Sequence, residues 1–215
     1  MRILKNTNLM IVGMAILMAW ALSSSLFAAD EEIVNLVIGG DFEEDIDMTH
    51  WTVNGDAAIE MDKKEAAVGD ASLFFEINGI DPNKGWQPQF RQLPWAIAMA
   101  VEKGKTYTLS VFLKAESNRE IQIIVFYDPG DVRVISENVL VGTEWEEYSF
   151  TSEWPETTLV GIRFLNAGAG KISYWVDCVR FYEGEYVPTE IEGEKAVVGS
   201  SDKLITAWGD IKAKY

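Results

Sequence analysis

The sequence predicts an all-β protein built as an antiparallel β-sandwich, and three observations predict it. Short runs rich in Val, Ile, Phe, Tyr and Thr recur along the chain, turn-forming groups separate them, and no helical pattern intervenes. The runs are residues 72–77, 107–115, 121–127, 147–151, 158–166 and 171–182. β-branched and aromatic side chains fit a pleated, half-buried surface, which is why their density marks strands. Between the runs stand Asn78-Gly79, Lys103-Gly104-Lys105, Asp128-Pro129-Gly130 and Ala167-Gly168-Ala169-Gly170, groups suited to the backbone geometries of turns.

The two ends of the chain read differently from this body. Arg2 and Lys5 precede an apolar run over residues 9–22 without an acid, and small residues then lead to Asp30-Glu31-Glu32. That order is the n-region, h-region and cleavage region of a secretory signal, so residues 1–29 are expected to be removed, leaving a secreted, extracellular or periplasmic protein. The competing reading, a membrane anchor, needs about 20 apolar residues, and the run is shorter. Cys178 is the only cysteine, so no internal disulfide can form and stability must come from elsewhere. The body, residues 33–183, has the length of one domain. Residues 184–203 turn acidic and polar, with Pro188, Gly193 and Gly199, and read as a linker. In residues 204–215, Leu204, Ile205, Ala207, Trp208 and Ile211 recur at roughly helical spacing, the pattern either of a short docking segment or of a frayed end.

Charge narrows the partners. The formal net charge is −16, and removal of Arg2 and Lys5 with the leader makes it −18. Such a surface repels phosphate backbones and anionic lipids, which argues against nucleic-acid partners and, once the signal is cleaved, against a membrane. Within the body, the stretches Asn35-Leu36-Val37-Ile38-Gly39-Gly40-Asp41-Phe42-Glu43 and Tyr174-Trp175-Val176-Asp177-Cys178-Val179-Arg180-Phe181 each carry a carboxylate where a structural strand prefers an apolar group. If the first and last strands lie side by side the two acids meet, and that pairing suggests a bound cation.

Seven pieces in fixed order now carry a resemblance: the Asn35 to Glu43 stretch, Trp51, Val68-Gly69-Asp70-Ala71-Ser72-Leu73, the segment from Trp86 to Gln92, Lys103-Gly104-Lys105-Thr106-Tyr107-Thr108-Leu109-Ser110, Thr143-Glu144-Trp145-Glu146-Glu147-Tyr148, and Trp175-Val176-Asp177-Cys178-Val179. Together they resemble a carbohydrate-binding module of the cellulose- and xylan-binding jelly-roll group, families 4, 9, 16 and 22. The resemblance covers the body and neither tail. It implies a galactose-binding-like jelly roll with a structural calcium ion (Ca2+) and a glycan cleft on the concave face of one sheet. Glu43 and Asp177 match the family's calcium carboxylates, with backbone carbonyls around Asp41 and Asp70 as further ligands. A hard cation takes about 6–8 oxygens in a flexible shell, so such a set needs neither His nor Cys.

The glycan site follows from strand parity within that pattern. The family pattern turns Tyr107, Leu109, Val111 and Leu113 inward, which sends Ser110, Phe112 and Lys114 to the other face. The same rule turns outward Gln122, Ile124 and Phe126, then Arg163 and Leu165, and also Gln87, Gln89 and Arg91. One face is therefore expected to collect two aromatics, three amides and two arginines, a mixture suited to sugars. Rings stack on the apolar faces of pyranoses, while amides and guanidiniums reach neighbouring hydroxyls. The bland alternative is that Phe112, Ile124, Phe126 and Leu165 are covered by a loop or form a second small core. Trp86 and Trp95 flank the face as candidate platforms, although the family usually carries a structural tryptophan where Trp86 stands. Trp51, Trp145 and Trp175 are expected to pack in the core or against turns.

Catalysis finds little support in the residues. His50 is the sole histidine, and neither a nucleophile elbow, nor a metal-binding His pair, nor a Gly-rich phosphate loop is present. A glycosidase needs only two carboxyl groups about 5–9.5 Å apart, but nothing in the spacing of the 34 acids singles out a pair. The sequence thus predicts an exported, non-catalytic module that binds a polysaccharide or cell-surface glycan. The alternatives are a structural or protein-interaction spacer on the same fold, and a small glycoside hydrolase or an accessory module acting with one.

Overall fold

A computed structural model describes residues 33–44, 46, 48–84, 87–93, 99–166 and 170–190. Every strand among the described residues lies in the unit Val34–Tyr215. Among the described residues all regular elements are strands: β1 (Trp51–Asn54), β2 (Ala57–Asp62), β3 (Ser72–Ile77), β4 (Gln89–Gln92), β5 (Ala100–Val101), β6 (Thr106–Ala115), β7 (Arg119–Tyr127), β8 (Val132–Val141), β9 (Glu146–Glu153), β10 (Thr158–Leu159), β11 (Gly161–Asn166) and β12 (Tyr174–Glu183).

They form two five-stranded sheets and one short ribbon. The first sheet runs in the order β1-β4-β11-β7-β8, the second in the order β2-β3-β12-β6-β9, and β10 pairs with β5. All pairings are antiparallel. The path passes repeatedly from one sheet to the other, as from β3 to β4 and from β6 to β7, which gives the jelly-roll sandwich that the sequence predicts.

Alternation fills the space between the sheets. Tyr107, Leu109, Val111 and Leu113 of β6 meet Ile121, Ile123 and Val125 of β7 in one core with Phe75, Phe90, Phe164 and Phe181. Trp51 is fully buried there and stacks on Phe90 with ring centroids 4.4 Å apart. Trp154 closes the other side against Tyr107 and Phe181 at 5.9 and 5.8 Å. Each such side chain contributes roughly 1.5–3 kcal/mol by leaving water, so the aromatic core substitutes for the disulfides that one cysteine cannot supply.

Several expectations change at element level. The run at 158–166 is two strands, because the Val160 N–H donates to Met99 O at 2.9 Å and commits β10 to β5, leaving β11 for the first sheet. The run from Lys171 enters its sheet only at Tyr174, since Ser173 is held by Ile77 and Glu116. The fold also continues past Glu183 into the stretch read as linker. Gly184 N donates to Thr106 O, Val187 N to the Tyr182 hydroxyl, and Thr189 Oγ1 to Glu147 at 2.9 Å, so residues 184–189 are tied to the second sheet. The expected export signal at 1–29, the rest of the linker and the segment at 204–215 lie outside the described residues.

Candidate functional site

Two regions gather the residues singled out by sequence. The first is the junction of the N-terminal stretch with β12. Leu36 N donates to Phe181 O at 2.8 Å, Phe181 N to Asn35 Oδ1 at 3.0 Å, and Val179 N to Gly40 O at 2.7 Å. Position 40 must be glycine, because a Cβ there would collide with the Val179 carbonyl. Phe42 and Cys178 both adopt left-handed backbone, with φ of 53° and 45°. Each costs about 1–2 kcal/mol for a residue with a side chain, and each adjoins a carboxylate, Glu43 in one case and Asp177 in the other.

Both carboxylates turn to the loop between β2 and β3. Glu43 accepts from Asp70 N at 3.0 Å and from Ala71 N at 3.4 Å. Asp177, fully buried, accepts from Ala67 N at 2.7 Å and Val68 N at 3.0 Å on one oxygen and from Cys178 N at 2.7 Å on the other. Burial pushes its carboxyl up to about 6 despite these three donors, and the charge of Glu43 acts in the same direction. The neighbouring Cys178 thiol is raised by burial to about 11 and stays protonated at neutral pH. Among the described residues no three His, Cys, Asp or Glu side chains come together as a metal cluster. Asp41 and Asp70 are exposed, and Asp70 gives Glu43 its N–H rather than its carboxylate. Two carboxylates in each other's field, beside a thiol kept protonated, offer oxygen and not thiolate donors, the ligand type of a hard cation and not of a thiophilic one.

The second region is the outer face of the first sheet. Register partners form two rows across all five strands: Thr52, Arg91, Arg163, Ile124 and Ser136 in one, and Asn54, Gln89, Leu165, Gln122 and Asn138 in the other. Their neighbours along the strands, Phe90, Ile162, Phe164, Ile123 and Val125, lie in the core, so both rows face away from it. Gln87 joins the amide row by donating to Asn54 Oδ1 at 2.8 Å, and Gln122 donates to Ser136 Oγ at 3.3 Å. Gln89 Oε1, Arg91 Nε and Arg163 Nε are buried with no hydrogen-bond partner. A buried polar atom left unmade costs about 1–3 kcal/mol, which a ligand's hydroxyls can relieve.

Two of the expected binding residues are not exposed on this face. Phe126 does point away from the main core, but it is fully buried in a second cluster with Leu93, Ile124 and Leu165. The guanidinium of Arg163 lies 3.4 Å from its ring centroid and occupies the face a sugar would need. Phe112 belongs to β6 in the other sheet, between Asp177 and Glu147, on the opposite side of the sandwich. Parity gives the side of a strand's own sheet and says nothing of which sheet the strand joins. Gln87, Gln89, Arg91, Gln122 and Arg163 are brought together; Trp86 and Trp95 lie outside the described residues. Trp175 is on the second sheet, packed at a tilt against Phe74 with ring centroids 4.8 Å apart and donating through Nε1 to Asp62 at 3.0 Å.

Sequence reasoning missed Thr52, Asn54, Ser136 and Asn138. Residues 132–141, Val-Arg-Val-Ile-Ser-Glu-Asn-Val-Leu-Val, carry enough β-branched residues to signal a strand. Their register was not readable, because a bulge between Val125 and Phe126 shifts the hairpin pairing. The hairpin turn also sets Asp131 at φ 53°, where it accepts from Arg163 Nη1 at 2.5 Å and Arg133 Nη2 at 3.0 Å.

Comparison with known proteins adds a family. Residues 34–164 match the family model of a carbohydrate binding domain, CBM_4_9. No curated protein matches the chain. Among solved structures, one described as "CBM4 structure and function" shares 21% identity at a TM-score of 0.52, covering 69% of this chain and 99% of its own. The CBM22-1 xylan-binding domain from Paenibacillus barcinonensis Xyn10C shares 16% at a TM-score of 0.52, covering 69% and 94%. A xylan-binding domain from CBM 22 shares 16% at a TM-score of 0.51, covering 72% and 99%. At these identities the likeness is one of fold.

Proposed function

The chain belongs to the carbohydrate binding domain family, whose model spans residues 34–164, and on that premise we propose that it binds a polysaccharide on the outer face of the β1-β4-β11-β7-β8 sheet without cleaving it. The observation that carries this is the pair of polar rows crossing all five strands. Sugar hydroxyls both donate and accept, an amide offers both functions in one plane, and a guanidinium spans two adjacent oxygens. The xylan-binding domains among the structural neighbours are consistent with a plant-type polysaccharide as ligand.

The same donors support binding without chemistry. Amides and guanidiniums neither attack an anomeric carbon nor release a proton at neutral pH. On β7 and its hairpin, Glu120 lies at one end, Asp128 and Asp131 lie in the turn beyond the other, and Glu137 stands opposite the core-facing Ile123. Six residues of strand separate Glu120 from Phe126, about 20 Å, against the ~5–9.5 Å of a glycosidase pair.

The proposal extends to a calcium ion held by Glu43 and Asp177, supported by their convergence on one loop, and to export, supported by the composition of residues 1–29. A panel of soluble and insoluble polysaccharides, assayed for retention and for release of reducing ends, tests the function. Retention without release is the expected result. Release of reducing ends would make the protein an enzyme, and no retention on any polymer would make it a spacer.

A further inference from the structure

Arg91 and Arg163 stand directly opposite each other on β4 and β11. Opposed residues of an antiparallel pair have Cβ atoms about 4.5–5.5 Å apart, a position where like charges repel. Both side chains are half-buried, and the Nε of each is buried without a partner. Arg163 pairs with Asp131 and shares that carboxylate with Arg133. Arg91 has no ion pair among the described residues, whereas Arg180 pairs with Glu147 at 2.9 Å, Lys114 with Glu65 at 2.6 Å and Lys105 with Glu183 at 2.9 Å, and the buried Arg119 is held by the Ile172 carbonyl and Asn166 Oδ1. The adjoining row, Asn54, Gln89, Leu165, Gln122 and Asn138, is uncharged. Burial, and then the charge of Arg163, push the Arg91 guanidinium below the usual arginine range. In a chain with 34 acids and 18 bases, an opposed cation pair in which only Arg163 has a carboxylate, and one it shares with Arg133, is a place prepared for an anion.

We infer that the Arg91–Arg163 pair is a subsite for an anionic substituent on the glycan, the carboxylate of a uronic acid residue or a sulfate ester. The inference rests on the binding role proposed above and names the substrate class of that same face. Either group presents two or more oxygens in the spacing of a guanidinium fork, and either relieves the repulsion across the strands. The neutral amide row beside the pair then holds hydroxyls of the same or the next sugar. The net charge of −16 repels an acidic polymer at long range, so any preference for one must come from this subsite and not from the general field.

The test uses the intact protein and titration calorimetry against polygalacturonate, alginate and glucuronoxylan, each with its carboxyl-reduced form, and against a sulfated galactan. At ~0.15 M salt an acidic polymer is expected to bind about tenfold tighter than its reduced counterpart. Arg91→Gln should bring the two within about twofold, and Arg91→Lys should keep part of the preference because it retains charge and loses the fork. The melting temperature of Arg91→Gln should stay at or above the wild type, since the like-charged pair is relieved, and that of Arg91→Lys, which keeps the pair, should stay close to it. Preference for the sulfated galactan over the carboxylates would support the same subsite with sulfate as its anion. Equal binding of acidic and neutral forms, or a preference that survives Arg91→Gln, overturns the inference and leaves the polysaccharide-binding role standing. No binding to any polymer overturns both.

Discussion

Phe126→Ala separates the structure from a reading of strand parity alone. Parity makes this ring an exposed stacking platform, so its loss would leave stability untouched. In the structure the side chain has no exposed surface, packs with Leu93, Ile124 and Leu165, and carries the Arg163 guanidinium 3.4 Å from its centroid. Truncating a buried phenylalanine costs about 3–5 kcal/mol, and the low end applies here because Arg163, a long side chain, can follow the cavity inward. Within that figure the cation–π contact accounts for roughly 1–2 kcal/mol. For a domain of this size each kcal/mol moves the melting temperature by about 2–4 °C, so a fall of about 6–12 °C is expected. Thermal unfolding followed by circular dichroism measures it, with a urea titration to check that m is unchanged. Phe126→Leu, which refills most of the volume, should lose less than half as much. A melting temperature within about 2 °C of the wild type for Phe126→Ala would refute the burial and restore the ring as a platform.

Two further predictions concern the junction of the N-terminal stretch with β12. Calcium should raise the melting temperature and chelator lower it, with Asp177→Ala and Glu43→Ala each removing most of the effect; an unchanged melting curve on chelation would exclude the ion. In calcium-free protein, burial raises the Asp177 carboxyl to about 6 in the folded state against its ordinary 3.8, so its protonated form stabilises the fold below about pH 4 and that contribution is lost as pH rises through 6. The shift corresponds to a loss on the order of 3 kcal/mol by pH 7. Urea unfolding from pH 4 to 7 in chelator should show the decline, Asp177→Asn should flatten it, and a decline of equal size in Asp177→Asn would assign it to other groups.

The sandwich was legible because its central strands are long and strongly apolar. In β6, alternation placed Tyr107, Leu109, Val111 and Leu113 in the core, where the structure has them. Two strands at sheet margins went unread: β2 sets Glu60 and Asp62 among small and apolar residues, and β8, although β-branched at its ends, carries Ser136, Glu137 and Asn138 in succession, because an edge strand need bury little. The junction of the two acids was half legible. The two acids on distant stretches do converge on one loop, but the left-handed turns at Phe42 and Cys178 that bring them there belong to residue types that favour no such conformation. On the first sheet's outer face, parity assembled Gln89, Arg91, Gln122 and Arg163 and gave the right side for Phe126 without its cover, which comes from Arg163 on a neighbouring strand, but it failed for Phe112, whose sheet it could not specify. Periodicity reads one strand at a time, while a binding face is a property of several strands in register.

The central claim is that glycan binds on the outer face of the first sheet. Its most direct test is the affinity of a Gln122→Ala/Asn138→Ala double variant for whichever polysaccharide the wild type retains, measured beside Thr151→Ala, a β9 change on the outer face of the second sheet. Gln122 and Asn138 are adjacent in the amide row, and loss of about two hydrogen bonds at ~1 kcal/mol each predicts roughly ten- to thirtyfold weaker binding. The melting temperature should move by less than about 2 °C, and Thr151→Ala should bind as the wild type does. Wild-type affinity in the double variant, or a loss confined to Thr151→Ala, would place the ligand elsewhere and contradict the account.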